Sequence, residues 1–522
     1  MPVRESTKNL SLILVLTLLV AATWLPFMQT LFPHLSYGDE GYVVQGAWRI
    51  FQGQMPFRDF FAGMPGAYYW TEFFFELFGP TFFAVRLGVM VLAALVLLTT
   101  GLILRRLDIR SPLGYLLLAA FAIQFGGPYW FIASHHWVAL AMSLASLLFL
   151  LPRADNPVPS TGRIITAGVF ASGAALTLQH LGGPWILCVM IAVLGFPRPL
   201  RRKYMVGFLG GVALIALPLA GYYAANVGLT TLYYDLVTFP LTRYHLIEAH
   251  SGIDLSYVGT ILDMISSSWA DQGNLLNWVR IVTITSLFIG VILVYILPFS
   301  GMAGLAYLWR SDSTLRRPVL LLLTAFFCAQ YLKVLTRIMD QTLVFAAPAS
   351  LLILLLVIEQ LRQNEAYGKS VRLFSGLWLV VFLCTGAATT SYQLLAPRAL
   401  TQTPAGPIYS LAPADQQTLQ RLNYFFAEKK AAGEPVFCYP YAPMLYFLFH
   451  ATNPTHYDTL VYPMATDEQR AEAIEQLEQA KNKWVILTTA VENDPFIHYL
   501  EQHYRVRERL PLAMILERTS NP

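Results

Sequence analysis

Two adjacent acids, Asp39 and Glu40, follow a long apolar run, within the stretch SYGDEGYVVQGAWRIFQGQMPFRDFF at residues 36–61. A positioned carboxylate can act as a general base and remove a proton from a reacting hydroxyl group. Acids close to lipid are costly to desolvate unless they are used or paired. The same acids could instead cap the following helix, because a carboxylate accepts hydrogen bonds from the first backbone amides. The residues alone leave both interpretations open.

A second group of residues has the chemistry to contact a phosphate or a sugar. Guanidinium and ammonium groups bind phosphate oxygens through charge-assisted hydrogen bonds. The ordinary alternatives are a surface ion pair, a lysine that reaches from the apolar layer to water, and simple solvation of a loop. The residues with this chemistry on the predicted outer side are Arg58, Asp59, Arg243, Tyr244, Lys333, Arg337 and Asp340.

Four further polar residues, His135, His136, Gln179 and His180, lie at the ends of predicted helices. Imidazole groups near carboxylates could hold a divalent ion. Their spacing matches no metal motif, and interfacial hydrogen bonding is the simpler interpretation. We therefore treat them as polar contacts and predict neither a metal site nor another cofactor.

These residues are set in a strongly apolar chain. Of its 522 residues, 56% are hydrophobic and 13% are charged, and the mean hydropathy is +0.51. A transmembrane helix needs about 20 apolar residues. The composition indicates a polytopic membrane protein, with no predicted nucleic-acid partner. Apolar stretches of spanning length lie near residues 10–32, 80–104, 112–130, 136–151, 163–179, 181–197, 204–225, 278–308, 318–335, 341–360 and 373–392.

The distribution of basic residues predicts the orientation. If the first stretch spans the membrane, most Lys and Arg residues fall in loops on the side of the N-terminus, which places that side in the cytoplasm. The first stretch is expected to be retained, because Trp24 to Phe27 stand where a signal peptide would have small residues. Eleven spans then place the C-terminal part outside. We predict a multi-pass protein of the plasma or inner membrane, in contact with the lipid bilayer.

The domain organisation follows from these spans. Residues 1–392 form a transmembrane domain with long extracytoplasmic loops at 33–79 and 226–277, residues 393–413 form a linker, and residues 414–522 form an α/β domain. In the first loop, the apolar spacing predicts a short helix that lies in the headgroup plane. The expected fold is an all-α polytopic membrane domain of about eleven helices with a small extracytoplasmic α/β domain.

The first loop resembles a known family. A "DE" pair after the first helix, an amphipathic helix, "PFRDFF", a proline with "YYW", and "LFGPTFFAVRL" are similar to the GT-C membrane glycosyltransferases. The resemblance is closest to glycosyltransferase family 39 and the aminoarabinose-transferase-like group, and it is strongest over residues 36–107. This chain has Gly63 and Met64 where many relatives have a charged residue before the proline.

The resemblance implies a function. It predicts an inverting glycosyltransferase that moves a sugar from a polyprenyl-phosphate carrier to an extracytoplasmic acceptor, with Asp39 as the catalytic base and Glu40 as its neighbour. The same resemblance makes the second group of residues candidates for contacts to the donor phosphate or sugar, namely Arg58, Asp59, Arg243, Tyr244, Lys333, Arg337 and Asp340. Two alternatives stay open. A transporter or flippase of a lipid-linked sugar would also need many helices, although transporters usually place ionisable residues near the midplane. A non-catalytic envelope scaffold could retain the same acids.

Overall fold

In the part of the chain that the computed structural model describes, eleven long helices build the membrane domain, and they overlap the eleven predicted apolar stretches. They are Pro2–Trp24, Phe82–Arg106, Pro112–Gly126, His135–Leu150, Thr161–Thr177, Gln179–Leu194, Arg198–Val227, Leu275–Arg310, Arg317–Val334, Asp340–Gln363 and Gly368–Leu395. The residues described are 2–31, 36–109, 111–126, 131–152, 158–246, 259, 262–263, 266, 275–311, 317–335, 338, 340–395, 398–410, 413–489 and 493–519.

Apolar length identifies the membrane-spanning helices. Within the described residues, seven helical segments are long and apolar enough to cross a membrane: Asn9–Phe27, Phe82–Arg106, Arg198–Val227, Phe288–Arg310, Arg317–Val334, Thr342–Gln363 and Gly368–Ala388. Shorter apolar helices occupy Pro112–Ile123, His135–Leu150 and Gln179–Leu194. Large apolar side chains such as Leu373 and Leu217 point outward, as a lipid-facing surface requires. The prediction of a polytopic membrane domain is confirmed.

The first loop contains two helices, Gly41–Phe51 and Pro65–Phe78. The first of them is present as predicted, but its surroundings differ from the prediction. Val44, Ala47 and Trp48 are buried, and the Trp48 indole donates a hydrogen bond to the Ala451 carbonyl in the C-terminal domain at 3.2 Å. The apolar face of this helix therefore packs against protein instead of lying in the headgroup plane.

The second long loop also begins with helical structure. Short helices at Leu229–Tyr233 and Phe239–Arg243 flank a wide helical turn at Tyr234–Thr238. Phe239 is buried, and its ring contacts the ring of Phe61 in the first loop at 4.8 Å. The two loops thus pack on each other above the membrane domain.

The C-terminal domain contains the predicted α/β alternation. Strands β4 (Val436–Tyr439), β5 (Trp484–Leu487), β6 (Tyr504–Arg509) and β7 (Met514–Arg518) form one sheet in the order β4-β5-β7-β6. The β4 and β5 strands are parallel, whereas β5–β7 and β7–β6 are antiparallel. The accompanying helices are Pro413–Ala431, Met444–Leu448, Asp467–Gln479 and Pro495–His503.

The segment predicted as a linker contains regular structure. Strand β2 (Ala399–Thr403) and strand β3 (Gly406–Ser410) form an antiparallel hairpin. Strand β3 also pairs in parallel with β1 (Thr30–Leu31), which follows the first membrane helix. This hairpin ties the start of the C-terminal domain to the C-terminal end of the first helix.

Candidate active site

Asp39 lies on a wide helical turn that connects to a loop helix. The turn spans Ser36–Glu40 and continues into Gly41–Phe51. The Asp39 side chain is exposed, and its Oδ1 accepts a hydrogen bond from the Tyr441 hydroxyl at 2.6 Å. Tyr441 belongs to the C-terminal domain. Asp39 therefore has both access to a ligand and a fixed donor.

Two glycines allow the C-terminal domain to approach the acidic turn closely. A Cβ atom at Gly38 would lie 2.4 Å from the Tyr441 ring, and one at Gly41 would lie 2.5 Å from the Met444 backbone nitrogen. Real side chains do not tolerate such distances, so the pattern Gly-Asp-Glu-Gly lets the C-terminal domain pack directly on the acidic turn. Sequence reasoning did not single out these two glycines.

Tyrosine hydroxyl groups surround the acidic turn. Burial raises the pKa of Tyr441 well above its ordinary value, and the nearby Asp39 carboxylate raises it further. Burial followed by the same carboxylate raises the pKa of Tyr244 to about 12. A Cβ atom at Gly63 would lie 3.8 Å from the Tyr42 hydroxyl and 3.9 Å from that of Tyr244. The two loops and the C-terminal domain thus meet around Asp39 with neutral hydroxyl groups.

Glu40 faces the opposite way and is fully buried. It forms an ion pair with Arg86, which is also fully buried, and the Arg86 Nη2 donates to Glu40 Oε2 at 3.0 Å. The Ala133 amide donates to Glu40 Oε1 at 2.8 Å, and the Arg86 Nη2 donates to the Thr30 carbonyl at 2.8 Å. These contacts position the turn that carries Asp39. The predicted catalytic role of Glu40 stays a prediction.

The structure brings Lys333 together with three of the predicted histidines. The His135 and His136 rings are 4.1 Å apart, and both His136 and the Lys333 ammonium group contact the Phe345 ring, at 4.9 Å and 5.6 Å. His135 and His180 lie close enough to Lys333 to interact with its charge. Lys333 is 2% exposed. This group, named the Lys333 cluster, consists of Lys333, His135, His136 and His180.

Gln179 connects the Lys333 cluster to the loops. Its Nε2 donates to the Gly63 carbonyl at 2.9 Å, and His180 follows it in the chain. Because Gly63 also faces the hydroxyl groups of Tyr42 and Tyr244, one chain of contacts joins the cluster to the surroundings of Asp39.

Arg58 and Asp59 form an ion pair with each other at the surface. The Arg58 Nε donates to Asp59 Oδ1 at 2.9 Å and its Nη2 donates to Oδ2 at 2.7 Å, with 51% of the Arg58 side chain exposed. The hydrogen bond from Arg58 holds the pKa of Asp59 below its ordinary value.

Arg243 donates to the carbonyls of Pro463 and Ala465 at 2.9 and 3.0 Å, so it ties the second loop to the C-terminal domain.

Two predicted contacts are less fully described. Asp340 is the first residue of the helix Asp340–Gln363, and Arg337 lies outside the described residues. Among the residues that the structure describes, no group of three or more His, Cys, Asp and Glu side chains is arranged to hold a metal ion.

Sequence reasoning missed the contributions of Tyr441 and Arg86. Tyr441 lies 402 positions from Asp39, in the aromatic segment that follows β4. Arg86 stands inside the "LFGPTFFAVRL" segment, where an arginine within a predicted span was itself a signal of a buried partner. The identity of that partner required the folded chain.

The arrangement is similar to a solved membrane protein. ArnT from Cupriavidus metallidurans, crystallised with undecaprenyl phosphate bound, shares 13% identity with this chain and covers 98% of each chain with a TM-score of 0.56. The chain has the ArnT fold. The apo-state structure of the same ArnT covers the same shares at 13% identity and a TM-score of 0.49. No protein family and no curated protein matches the chain by sequence.

The ArnT fold confirms the GT-C resemblance seen at residues 36–107 and the predicted architecture of a helical membrane domain with a small α/β domain. The agreement extends over both domains because the match covers 98% of the chain. At 13% identity, the match shows the fold alone. The reaction has to be argued from the chemistry of the site.

Proposed function

We propose that this protein is an integral-membrane inverting glycosyltransferase that takes a sugar from a polyprenyl-phosphate carrier and passes it to an extracytoplasmic acceptor. The observation that supports this proposal is the exposed carboxylate of Asp39. The turn that carries it is held on one side by the buried ion pair of Glu40 with Arg86, and Tyr441 of the C-terminal domain binds Asp39 itself. ArnT, with undecaprenyl phosphate bound, shares this fold and agrees with a lipid-linked donor.

Asp39 would act as the general base of the transfer. Its carboxylate takes the proton from an acceptor hydroxyl group while the hydroxyl oxygen forms a bond to the anomeric carbon. The bond from that carbon to the phosphate oxygen breaks on the opposite face, and the electron pair leaves with the carrier phosphate. The exposed face of Asp39 provides access for the acceptor, and the Tyr441 hydroxyl limits rotation of the carboxylate.

The leaving phosphate needs positive charge or hydrogen-bond donors, because its negative charge grows as the glycosidic bond breaks. The Lys333 cluster offers a buried ammonium group with three imidazoles beside it. We assign the carrier phosphate to this cluster, with Gln179 fixing its distance from the first loop. Arg243 is engaged with backbone carbonyls, so we assign it to domain attachment.

Comparative lipid mass spectrometry tests this function. Cells that lack the protein are rescued with the native chain, Asp39→Asn or Glu501→Gln, where Glu501 is an acid with a 71% exposed side chain that serves as the control. We expect a polyprenyl-phosphate sugar to accumulate in the null and in the Asp39→Asn rescue, but not with the native chain or the control. The expected loss of transfer is about 10²- to 10⁴-fold, the usual contribution of a general base.

The role of Asp39 as the base and the transferase function can each be contradicted independently. Full rescue by Asp39→Asn would show that Asp39 is not the base. A null strain with an unchanged and detectable pool of carrier-linked sugars would contradict the transferase and would favour a scaffold. Accumulation of the donor on the cytoplasmic leaflet alone would favour a flippase.

A further inference from the structure

A cavity separate from the Asp39 turn lies where the two loops meet the C-terminal domain. Its volume is about 530 Å³. Aromatic side chains from all three parts line it, namely Phe57, Phe61, Tyr234 and Tyr457, together with the acids Asp235 and Glu472. Neither Asp39 nor the Lys333 cluster contributes to its walls, so the proposed transfer reaction does not use this space.

Asp235 is the unusual residue of this cavity. It lies on the helical turn Tyr234–Thr238 and is 4% exposed. Within the described part of the chain, its carboxylate forms neither a hydrogen bond nor an ion pair, and burial raises its pKa to about 7. A buried carboxylate normally has a partner that offsets its desolvation. Its position in the wall makes the cavity the place where a ligand would supply that partner.

The other charged groups of the cavity favour a cation. Glu472 accepts a hydrogen bond from the Tyr457 hydroxyl at 2.6 Å, which adds a second acid to the wall. Burial lowers the pKa of His456, so this imidazole tends to be neutral. The one lining arginine, Arg58, is held by both oxygens of Asp59. The lining therefore has an acidic balance that would repel an anionic ligand.

The aromatic walls add a second attraction for a cation. An ammonium group within about 6 Å of an aromatic ring centre is drawn to the face of that ring. The Phe61 and Tyr457 rings are 6.1 Å apart on one side, and Tyr234 lines the cavity beside Asp235. A carboxylate that has no partner among the described residues, set beside aromatic rings, matches an organic ammonium group better than it matches a neutral polyol.

We propose that this cavity binds the primary ammonium group of a ligand through Asp235, with Glu472 and the aromatic walls as secondary contacts. The cavity also includes Val227 and Thr230, at the end of a membrane-spanning helix, so the ammonium group could belong to a lipid headgroup or to a soluble amine. Arg58, which the sequence predicts as a donor contact, lines the cavity, whereas Asp39 and the Lys333 cluster, to which we assign the transfer reaction, do not. The proposal therefore does not depend on that assignment.

Calorimetric titration of the full-length protein in nonionic detergent micelles tests the site. The probes are 1,5-diaminopentane and 1,5-pentanediol, which differ in their ammonium and hydroxyl ends. We expect the diamine to bind the native protein at least tenfold more tightly than the diol. The Asp235→Asn variant should lose that preference, and Glu501→Gln, at a side chain that is 71% exposed, should keep it.

A second variant and a second pair of probes complete the test. Thr231→Trp adds an indole to the cavity wall and should abolish diamine binding while leaving Asp235 in place. Lysophosphatidylethanolamine added to the micelles should compete with the diamine if the source is a lipid headgroup, whereas lysophosphatidylglycerol should not. Absence of competition by both lipids assigns the site to a soluble amine.

Three results would overturn the proposal. These are equal affinity for the diamine and the diol, unchanged binding by a folded Asp235→Asn variant, and unchanged binding by a folded Thr231→Trp variant. A thermal melting curve of each variant confirms that it is folded. Sugar transfer is not measured in any of these titrations, so failure here is distinct from failure of the proposed transferase.

Discussion

At the scale of residues, the two neighbouring acids of the first loop have different surroundings. Asp39 is exposed and has one hydroxyl donor, whereas Glu40 is fully buried against a guanidinium group. Adjacent residues of a helical turn point in different directions, so the two carboxylates meet different surroundings. The contrast supports one reactive carboxylate and one positioning carboxylate.

The Tyr441 hydroxyl should matter for the rate of transfer more than for binding. Tyr441→Phe removes the 2.6 Å hydrogen bond that orients the Asp39 carboxylate and preserves the ring that packs on Gly38. We expect kcat to fall by about tenfold, because a less oriented base reaches its reactive geometry less often, with KM for the carrier-linked donor little changed. Steady-state kinetics of the proposed transfer, on the purified protein, measure both.

The control for Tyr441→Phe is the same substitution at Tyr424, whose side chain is 74% exposed in the C-terminal domain. It should leave kcat and the melting temperature unchanged. A Tyr441→Phe variant with native kcat would show that the hydrogen bond has no part in the reaction, and a lowered melting temperature with native kcat would assign it to stability.

At the scale of elements, the helices were predictable and several strands were not. Spanning helices leave uninterrupted apolar runs, because the bilayer core offers no water to the backbone. Strand β6 has the sequence YRVRER, and its charged residues are exposed because it forms the edge of its sheet. Strand β1 is formed by the pairing of Thr30 with Tyr409, far away in the chain, which no local pattern indicates.

The candidate site, like the strands, could be predicted from the sequence only in part. The position of Asp39 beside an apolar run was visible in the sequence, whereas the two glycines that flank the acids were not singled out. The Lys333 cluster combines residues from three helices, and the cavity around Asp235 combines two loops and a domain. Such groupings arise from tertiary packing, so spacing along the chain could not reveal them.

The buried ion pair beneath the acidic turn should be a strong determinant of stability. Arg86→Met leaves the Glu40 carboxylate buried without its cation, which is expected to lower the free energy of unfolding by about 3–5 kcal/mol. The double variant Glu40→Leu with Arg86→Met removes the uncompensated charge and should recover much of that loss. Chemical denaturation in detergent micelles, followed by tryptophan fluorescence, measures the differences.

An exposed ion pair provides the comparison. Arg421→Met breaks the contact with Glu508 at 2.7 Å, where the two side chains are 40% and 33% exposed, and should cost less than about 1 kcal/mol. If Arg86→Met were as mild as Arg421→Met, or if the double variant were less stable than the single one, Glu40 would not be the buried positioning charge inferred from its contacts.

At the scale of the whole molecule, the C-terminal domain is built into the membrane domain. Arg49 in the first loop pairs with Asp458 at 2.9 Å, and both side chains are nearly fully buried. Arg243 binds backbone carbonyls of the same domain from the second loop, and strand β3 pairs with β1. Buried contacts from three segments hold Tyr441 over Asp39 as part of one structure.

The orientation of this structure in the membrane can be measured with two single cysteines. In a variant with its four cysteines replaced by serine, Tyr424→Cys places a thiol on the exposed surface of the C-terminal domain. Arg202→Cys places one within the basic segment that begins the helix Arg198–Val227. Basic loops stay in the cytoplasm, so a membrane-impermeant maleimide should label only Tyr424→Cys in intact cells and both variants after permeabilisation.

The reverse labelling pattern would place Asp39 and the C-terminal domain in the cytoplasm. Because Tyr441 binds Asp39 directly, the C-terminal domain and the candidate base must lie on the same side of the membrane. Cytoplasmic labelling of Tyr424→Cys would therefore exclude transfer to an extracytoplasmic acceptor, even if Asp39 were shown to be the base. Labelling in intact cells would leave the acceptor and the open face of Asp39 on the same, outer side.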